Sequence, residues 1–226
     1  MSRRDEIATN LAEVESAIQS ACDQAGRARE EVTLIAVTKT FPVEDARILY
    51  DLGLRHFGEN RDQEGSVKAQ LLPRDAIWHF QGQIQSKKIK SIVEWADLIH
   101  SVDEFEHARK ISERSPGFET LVQVDLDPDS SEIRGGVRVE GLAGFLDQIA
   151  AFDLKVSGLM SVAPLGVEPA RAFAALAEIF EKSRIAHPSL TKLSAGMSGD
   201  FAEAISAGAT HIRVGSSILG KRAPLI

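Results

Sequence analysis

The stretch Val32-Thr33-Leu34-Ile35-Ala36-Val37-Thr38-Lys39 decides the fold. A continuous run of β-branched and aliphatic residues reads as a strand covered on both faces, the kind found in parallel sheets. Lys39 closes the run, and in α/β proteins the carboxyl ends of such strands carry the active site. Beside an apolar wall an ammonium is poorly solvated, so its pKa falls below the usual value of about 10.4 and a nucleophilic amine becomes available. Such an amine forms a Schiff base with an aldehyde. The plainer alternative is a lysine that reaches past the strand end to water.

Outward from that strand the pattern recurs. Ile7, Leu11, Val14, Ile18 and Cys22 stand at spacings of three and four, which predicts a helix over residues 3–26, stopped by Gly26. Pro42 opens and Gly53 closes a second helix. Apolar runs follow at residues 56–60, 77–82, 98–102, 121–126, 156–161, 193–198 and 211–215, with helical stretches between them, among them 139–152 and 169–186. This alternation predicts a single-domain α/β chain over residues 1–226, an eight-stranded (βα)8 TIM barrel with an extra helix at its amino end. An open doubly wound sheet uses the same alternation, but no nucleotide fingerprint follows the first strand. Residues 125–136 read as a long polar loop of the kind that carries or covers a site.

With 226 residues the chain can bury one large core. A net charge of −7 argues against a nucleic-acid or anionic-membrane surface. No apolar stretch approaches the roughly 20 residues of a membrane span. The charged amino end lacks the apolar segment of a secretory signal. The single cysteine, Cys22, cannot close an internal disulfide. These features point to the cytoplasm.

On a barrel the strand ends converge, so residues distant in sequence meet. Gly196-Met197-Ser198-Gly199-Asp200 leaves the seventh strand, and Arg213-Val214-Gly215-Ser216-Ser217-Ile218-Leu219-Gly220 leaves the eighth. Glycines admit an anion to backbone N–H groups and serine hydroxyls add donors. The loops after these two strands are where barrels most often bind phosphate. The alternative for the first is a glycine turn followed by an Asp200/Glu203 capping box. Arg213, between Ile212 and Val214, points opposite to both. Directed into the barrel mouth it stays charged and only donates, so against a pyridine nitrogen it would hold that nitrogen unprotonated. A structural ion pair with a barrel acid is the other reading. Glu59 and Asn60 end the second strand, and His79 lies in the third, where a histidine often only satisfies the core. The six histidines show no metal-ligand spacing, so no metal site is expected. Ser198 lacks the G-x-S-x-G elbow of a serine hydrolase.

Five groups of residues stand in order along nearly the whole chain. They are Ala36-Val37-Thr38-Lys39; Phe57-Gly58-Glu59-Asn60; Trp78-His79-Phe80-Gln81-Gly82 with Gln85-Ser86-Lys87-Lys88; Gly158-Leu159-Met160; and Leu193 to Asp200 with Ile212-Arg213-Val214-Gly215-Ser216. Together they resemble the YggS/PROSC family of pyridoxal phosphate homeostasis proteins. The resemblance implies a barrel of the alanine-racemase N-terminal type (PLP fold type III) with pyridoxal 5'-phosphate (PLP) held as an aldimine on Lys39. Ser198, Gly215 and Ser216 would bind the phosphate, Arg213 would face the pyridine nitrogen, and Asn60, His79, Met160 and Ser194 would line the pocket. The partners expected are PLP and, transiently, PLP-dependent apo-enzymes, with the chain a monomer and, from its charge, no nucleic acid or membrane bound. The chain departs from the family's usual residues at Thr38, Arg61, Lys87, Asp125, Arg134 and Ala195. Arg134 stands where the family often has a lysine, and a guanidinium cannot form an imine.

The function expected is therefore vitamin B6 homeostasis: holding, buffering or delivering PLP without strong catalysis. A PLP-dependent amino-acid racemase or decarboxylase is the alternative. Two-base proton transfer needs a base on each face of the substrate α-carbon, and only Lys39 presents itself. Racemases of this type add a β-domain and borrow a partner's tyrosine; here the chain ends six residues after Gly220, and the one tyrosine, Tyr50, falls in a predicted helix. An arginine at the ring nitrogen also weakens the cofactor as an electron sink. An aldolase-type amine acting on a phosphorylated sugar is a third reading.

Overall fold

The computed structural model describes residues 2–127 and 135–220, and in it the run before Lys39 forms strand β1 (Thr33–Val37). The other strands are β2 (His56–Glu59), β3 (Ile77–Phe80), β4 (Leu98–Val102), β5 (Phe118–Asp125), β6 (Val137–Arg138), β7 (Leu154–Met160), β8 (Lys192–Ser194) and β9 (His211–Val214). All but β6 form one ring, in the order β1, β2, β3, β4, β5, β7, β8, β9 and back to β1, with every pairing parallel. Two pairings decide between the barrel and the open sheet. β1 lies beside β9 from Thr33↔His211 to Ala36↔Val214, and β4 lies beside β5. The sheet is closed. The two-residue β6 pairs with β5 outside the ring, a strand that the sequence pattern does not foreshadow.

Helices α1 (Arg3–Gln24), α2 (Val43–Asp51), α3 (Asp62–Leu71), α4 (Ile89–Trp95), α5 (Phe105–Arg114), α6 (Leu142–Ile149), α7 (Pro169–Ala186), α8 (Phe201–Ser206) and α9 (Ser216–Leu219) cover the ring. α1 opens with a capping box, Ser2 Oγ accepting the Asp5 N–H at 3.1 Å and Asp5 Oδ2 accepting the Ser2 N–H at 2.9 Å. It buries the face expected: Ile7, Leu11, Val14, Ile18 and Cys22. Its polar residues, and Arg27 just after it, grip the end of the barrel sequence. Arg3 Nη2 donates to the Leu219 carbonyl at 2.9 Å, Asn10 Nδ2 to that of Ile218 at 3.0 Å, and Arg27 Nη1 to that of Ala209 at 2.8 Å. The stretch expected to be helical over 139–152 is shorter: Val139–Gly141 is a 3-10 turn and the α-helix proper begins at Leu142. No helix among the described residues is long and apolar enough to cross a membrane.

Side chains alternate along each strand, and this sorts them into two environments. Leu34, Ala36, Phe57, Trp78, Phe80, Ile99, Val122, Ile212 and Val214 face the helices in one continuous apolar layer. Inside the ring the apolar filling is small, with Leu98, Leu121 and Met160 as a separate cluster. Much of the rest of the interior is polar and buried, including His79, His100, Ser194 and Arg213. A barrel that fills its centre with hydrogen-bonding groups must pair them, and that requirement shapes the site.

Candidate functional site

Lys39 follows β1 at the carboxyl mouth of the barrel and is half-buried. Side chains from α3 hold the backbone on both sides of it. Lys68 Nζ donates to the Thr38 carbonyl at 2.7 Å and to Glu59 Oε1 at 2.6 Å, and Thr38 Oγ1 donates to the same carboxylate oxygen at 2.6 Å. Beyond Lys39, the Thr40 N–H donates to Glu64 Oε2 at 2.6 Å. Thr40 has φ 68°, a left-handed conformation that a β-branched residue adopts only under constraint, and Glu64 supplies one. Thr38, Glu59 and Lys68 are all buried. Burial pushes the Glu59 carboxyl up, while the Lys68 charge and the two hydrogen bonds pull it back.

The turns after β8 and β9 converge beside this lysine. Gly196 has φ 88°, and a Cβ there would stand 2.8 Å from Phe201 Cα, so the turn needs glycine. Ser198 Oγ accepts the N–H groups of Gly215 and Ser217, each at 3.4 Å. A Cβ on Gly215 would come within 3.1 Å of the Val37 carbonyl, so glycine lets the end of β9 lie against the end of β1. Ser216, exposed, begins α9. The capping-box alternative is not what forms: Asp200 Oδ1 accepts the Met197 N–H at 2.6 Å, and α8 has no side-chain cap.

Arg213 points inward while Ile212 and Val214 join the outer core. Its Nη1 donates to Ser194 Oγ at 2.7 Å and its Nη2 to the Ser161 carbonyl at 2.9 Å. Both partners are neutral, and among the described residues no ion pair to Arg213 forms. The ion-pair reading is thus replaced by a buried guanidinium whose hydrogen bonds go to neutral oxygens. Burial pushes it down to about 10 against the field of Asp200, so it remains charged at neutral pH.

From Ser194 a chain of hydrogen bonds crosses the interior. His100 Nδ1 lies 2.9 Å from Ser194 Oγ, His79 Nδ1 2.9 Å from His100 Nε2, and His56 Nδ1 2.9 Å from His79 Nε2. His211 stands beside it, its ring 6.3 Å from that of His79 and 6.4 Å from that of His100. Burial lowers the basicity of all four imidazoles, well below the usual value for His79 and His100 and to about 3 for His211. The unfolded chain therefore takes up protons that the folded one refuses. Stability is fully present above about pH 6.5 and is lost as pH falls from there towards the depressed folded-state values. Each deeply buried histidine removes about 1.4 kcal/mol per pH unit in that window. The urea midpoint is expected to fall steeply between about pH 6.5 and pH 5, above the range where most carboxylates titrate; a flat profile there would show that the histidines reach water.

Met160 lies opposite Ser194 in the β7–β8 register, and Asn60 follows β2 with its buried Oδ1 unpartnered among the described residues. His79 has both ring nitrogens engaged by histidines, so its hydrogen bonds are directed within the barrel. The fold therefore brings Arg213 against Ser194 with Met160 beside it, and Ser198 against Gly215, next to Ser216, by the end of β1. Tyr50 is remote from both, with its hydroxyl on Asp75 and its ring under Arg55. Asp103, Glu104 and His107 bring possible ligating atoms within 4.8 Å of one another, a grouping that the histidine spacing does not announce. Asp103 also has a structural task there, its Oδ2 accepting the Gly136 N–H at 2.9 Å. Arg134 lies outside the described residues.

The alanine racemase N-terminal domain model matches residues 9–223. The chain is 37% identical to the pyridoxal phosphate homeostasis protein of Mycobacterium leprae, over 96% of this chain and 93% of that one. It belongs to the pyridoxal phosphate homeostasis protein family. The family's barrel is seen directly in PipY of Synechococcus elongatus, solved with PLP bound. That structure is 36% identical with a TM-score of 0.81, covering 95% of this chain and 100% of that one. Alanine racemase from Corynebacterium glutamicum, 18% identical with a TM-score of 0.73, covers 99% of this chain with 63% of its own and shares the fold. In this homeostasis-protein barrel the motifs from Ala36 to Ser216 fall within strands or soon after their carboxyl ends, except Gln85-Ser86-Lys87-Lys88, which forms the turn leading into α4.

Proposed function

We propose that this chain binds PLP at the barrel mouth, holds it covalently through Lys39, and buffers or delivers it to apo-enzymes as a monomer without strong turnover of amino acids. One observation carries the reading: Lys39 stands at the end of β1, and on the neighbouring strand β9 the buried Arg213 has no carboxylate in hydrogen-bond contact among the described residues. A buried cation whose hydrogen bonds go to neutral oxygens fits a ligand that brings acceptors. The residues present suit PLP in other respects. Gly215 and Ser217 N–H groups reach Ser198 only at the long limit of hydrogen bonding, so a phosphate would be the stronger acceptor for them. Asn60 Oδ1 is a buried acceptor still to be matched. The family membership and the PLP-bound PipY structure support the same assignment.

When bound, PLP supplies an electrophilic carbon and a ring that withdraws electrons. Arg213 can only donate, so it would leave the ring nitrogen unprotonated and the ring a poorer electron sink. Tyr50, engaged by Asp75, supplies no second base at the mouth. This favours carriage over a racemase or decarboxylase. The test loads the protein with PLP, measures binding by equilibrium dialysis, and incubates it with amino acids in heavy water under NMR. Stoichiometric binding with no α-hydrogen exchange above a Lys39→Ala control is expected. Exchange that depends on Lys39 would make the chain an enzyme, and absence of binding would refute the whole reading.

A further inference from the structure

The chain of histidines has a direction, and Arg213 sets it. A guanidinium has no lone pair to accept with, so Arg213 Nη1 must donate to Ser194 Oγ, 2.7 Å away. The Ser194 hydroxyl, fully buried, then sends its own proton to its remaining partner, His100 Nδ1. A ring that accepts at Nδ1 carries its proton on Nε2. His100 Nε2–H therefore donates to His79 Nδ1, which fixes the same tautomer on His79, and His79 Nε2–H donates to His56 Nδ1. The opposite polarity would have His100 donate to Ser194. The serine proton would then need a third partner, and among the described residues none is found.

We infer that His100, His79 and His56 are positioning residues: through one unidirectional chain they lock the Ser194 hydroxyl as a single-facing acceptor and so fix the direction in which Arg213 presents its guanidinium. The chain spans β2, β3, β4, β8 and β9, so the aim of Arg213 is set from five of the eight ring strands. The groups facing it are His211, bonded to Thr210 Oγ1 at 2.8 Å, Lys192, which is paired with Glu119, and Asp97 near His56. The interior holds the three rings neutral, so each has one proton to place and one lone pair to offer. What this orders at the mouth rests on the proposal that Arg213 faces the PLP ring nitrogen; the order of the chain itself does not.

Two measurements separate those dependencies. In cofactor-free protein with 15N-labelled histidine, NMR should find His56, His79 and His100 neutral at pH 7, each with protonated Nε2 and bare Nδ1. An Nδ1–H tautomer or a cation at His79 or His100 would overturn the chain whatever the protein binds. In PLP-loaded protein, the pH midpoint of the bound cofactor's absorbance should move by about one unit or more in His100→Leu. It should return towards that of the parent in His100→Asn, whose side-chain oxygen can replace Nδ1 as the acceptor. A folded His100→Leu protein with the parent's profile would overturn the positioning role. If the parent itself shows no bound-cofactor absorbance, the PLP reading fails while the tautomer result stands.

Discussion

Lys39→Ala is expected to abolish the absorbance of the protein-bound cofactor and to weaken PLP binding by at least about ten-fold, some 1.4 kcal/mol or more. Lys39 is the residue that the architecture delivers to the mouth on a held backbone, with Lys68 on the Thr38 carbonyl and Glu64 on the Thr40 N–H. Lys68 is itself engaged by Glu59 and cannot substitute without abandoning a buried carboxylate. Residual binding should remain, because the Ser198, Gly215 and Ser217 groups do not depend on the lysine. Lys39→Arg separates charge from covalency: it keeps the cation, cannot form an imine, and should behave like alanine in the spectrum. An unaltered spectrum in either variant, with the fold intact by circular dichroism, would place the link on another amine and remove Lys39 from its assigned role.

The second large effect concerns stability. Lys68→Met should cost about 3–5 kcal/mol in urea unfolding at neutral pH, because it leaves Glu59 buried with only the Thr38 hydroxyl for company. The mutant should recover part of that loss as pH falls, since a protonated Glu59 no longer needs a counter-charge. Adding Glu59→Leu to Lys68→Met should restore most of the stability, as the removal of both charges usually does. The double variant also tests the site: stability would return while the Thr38 carbonyl still lacks its donor. Bound-cofactor absorbance that stayed impaired in a stable double variant would show that Lys68 serves the lysine turn as well as the core. A loss under about 1 kcal/mol in the single variant would mean that the pair is solvated.

β1 was legible because a strand buried on both faces writes a continuous apolar run into the sequence, whereas β2, β3, β4 and β9 were legible as short segments in which apolar outward residues alternate with the polar groups of the interior. The run before Lys39 matches β1 within a residue or two at each end, and α7 spans the stretch expected for it. Arg213 was legible as an inward residue from simple alternation. Its partners were not. Alternation says which face His56, His79, His100 and His211 occupy, whereas their mutual distances depend on how the ring closes, which no local pattern records. The α3 contribution was hidden for a different reason. Lys68 is a charged residue on a helix with almost no apolar stripe, and charges on such helices ordinarily face water. Only the packed structure shows it reaching across to a carboxylate nine residues away. Thr40 carried no signal at all, since nothing in threonine announces a left-handed backbone.

The grip of α1 on the far end of the barrel sets an order of events during synthesis. The β1–β9 seam and the Arg3 bond to the Leu219 carbonyl join residues 178 and 216 positions apart. Contacts that distant carry the largest loop-closure cost and form after the local ones. A ribosome-bound chain that has emerged as far as β7 can hold Lys39 on an ordered strand, yet it lacks Ser194, Ser198, Arg213 and Gly215. Nascent protein in that state should be blind to the cofactor, so vitamin supply could not guide the folding of the first six of the eight ring strands. Any rescue by PLP should act on the finished ring, slowing its opening instead of hastening its assembly.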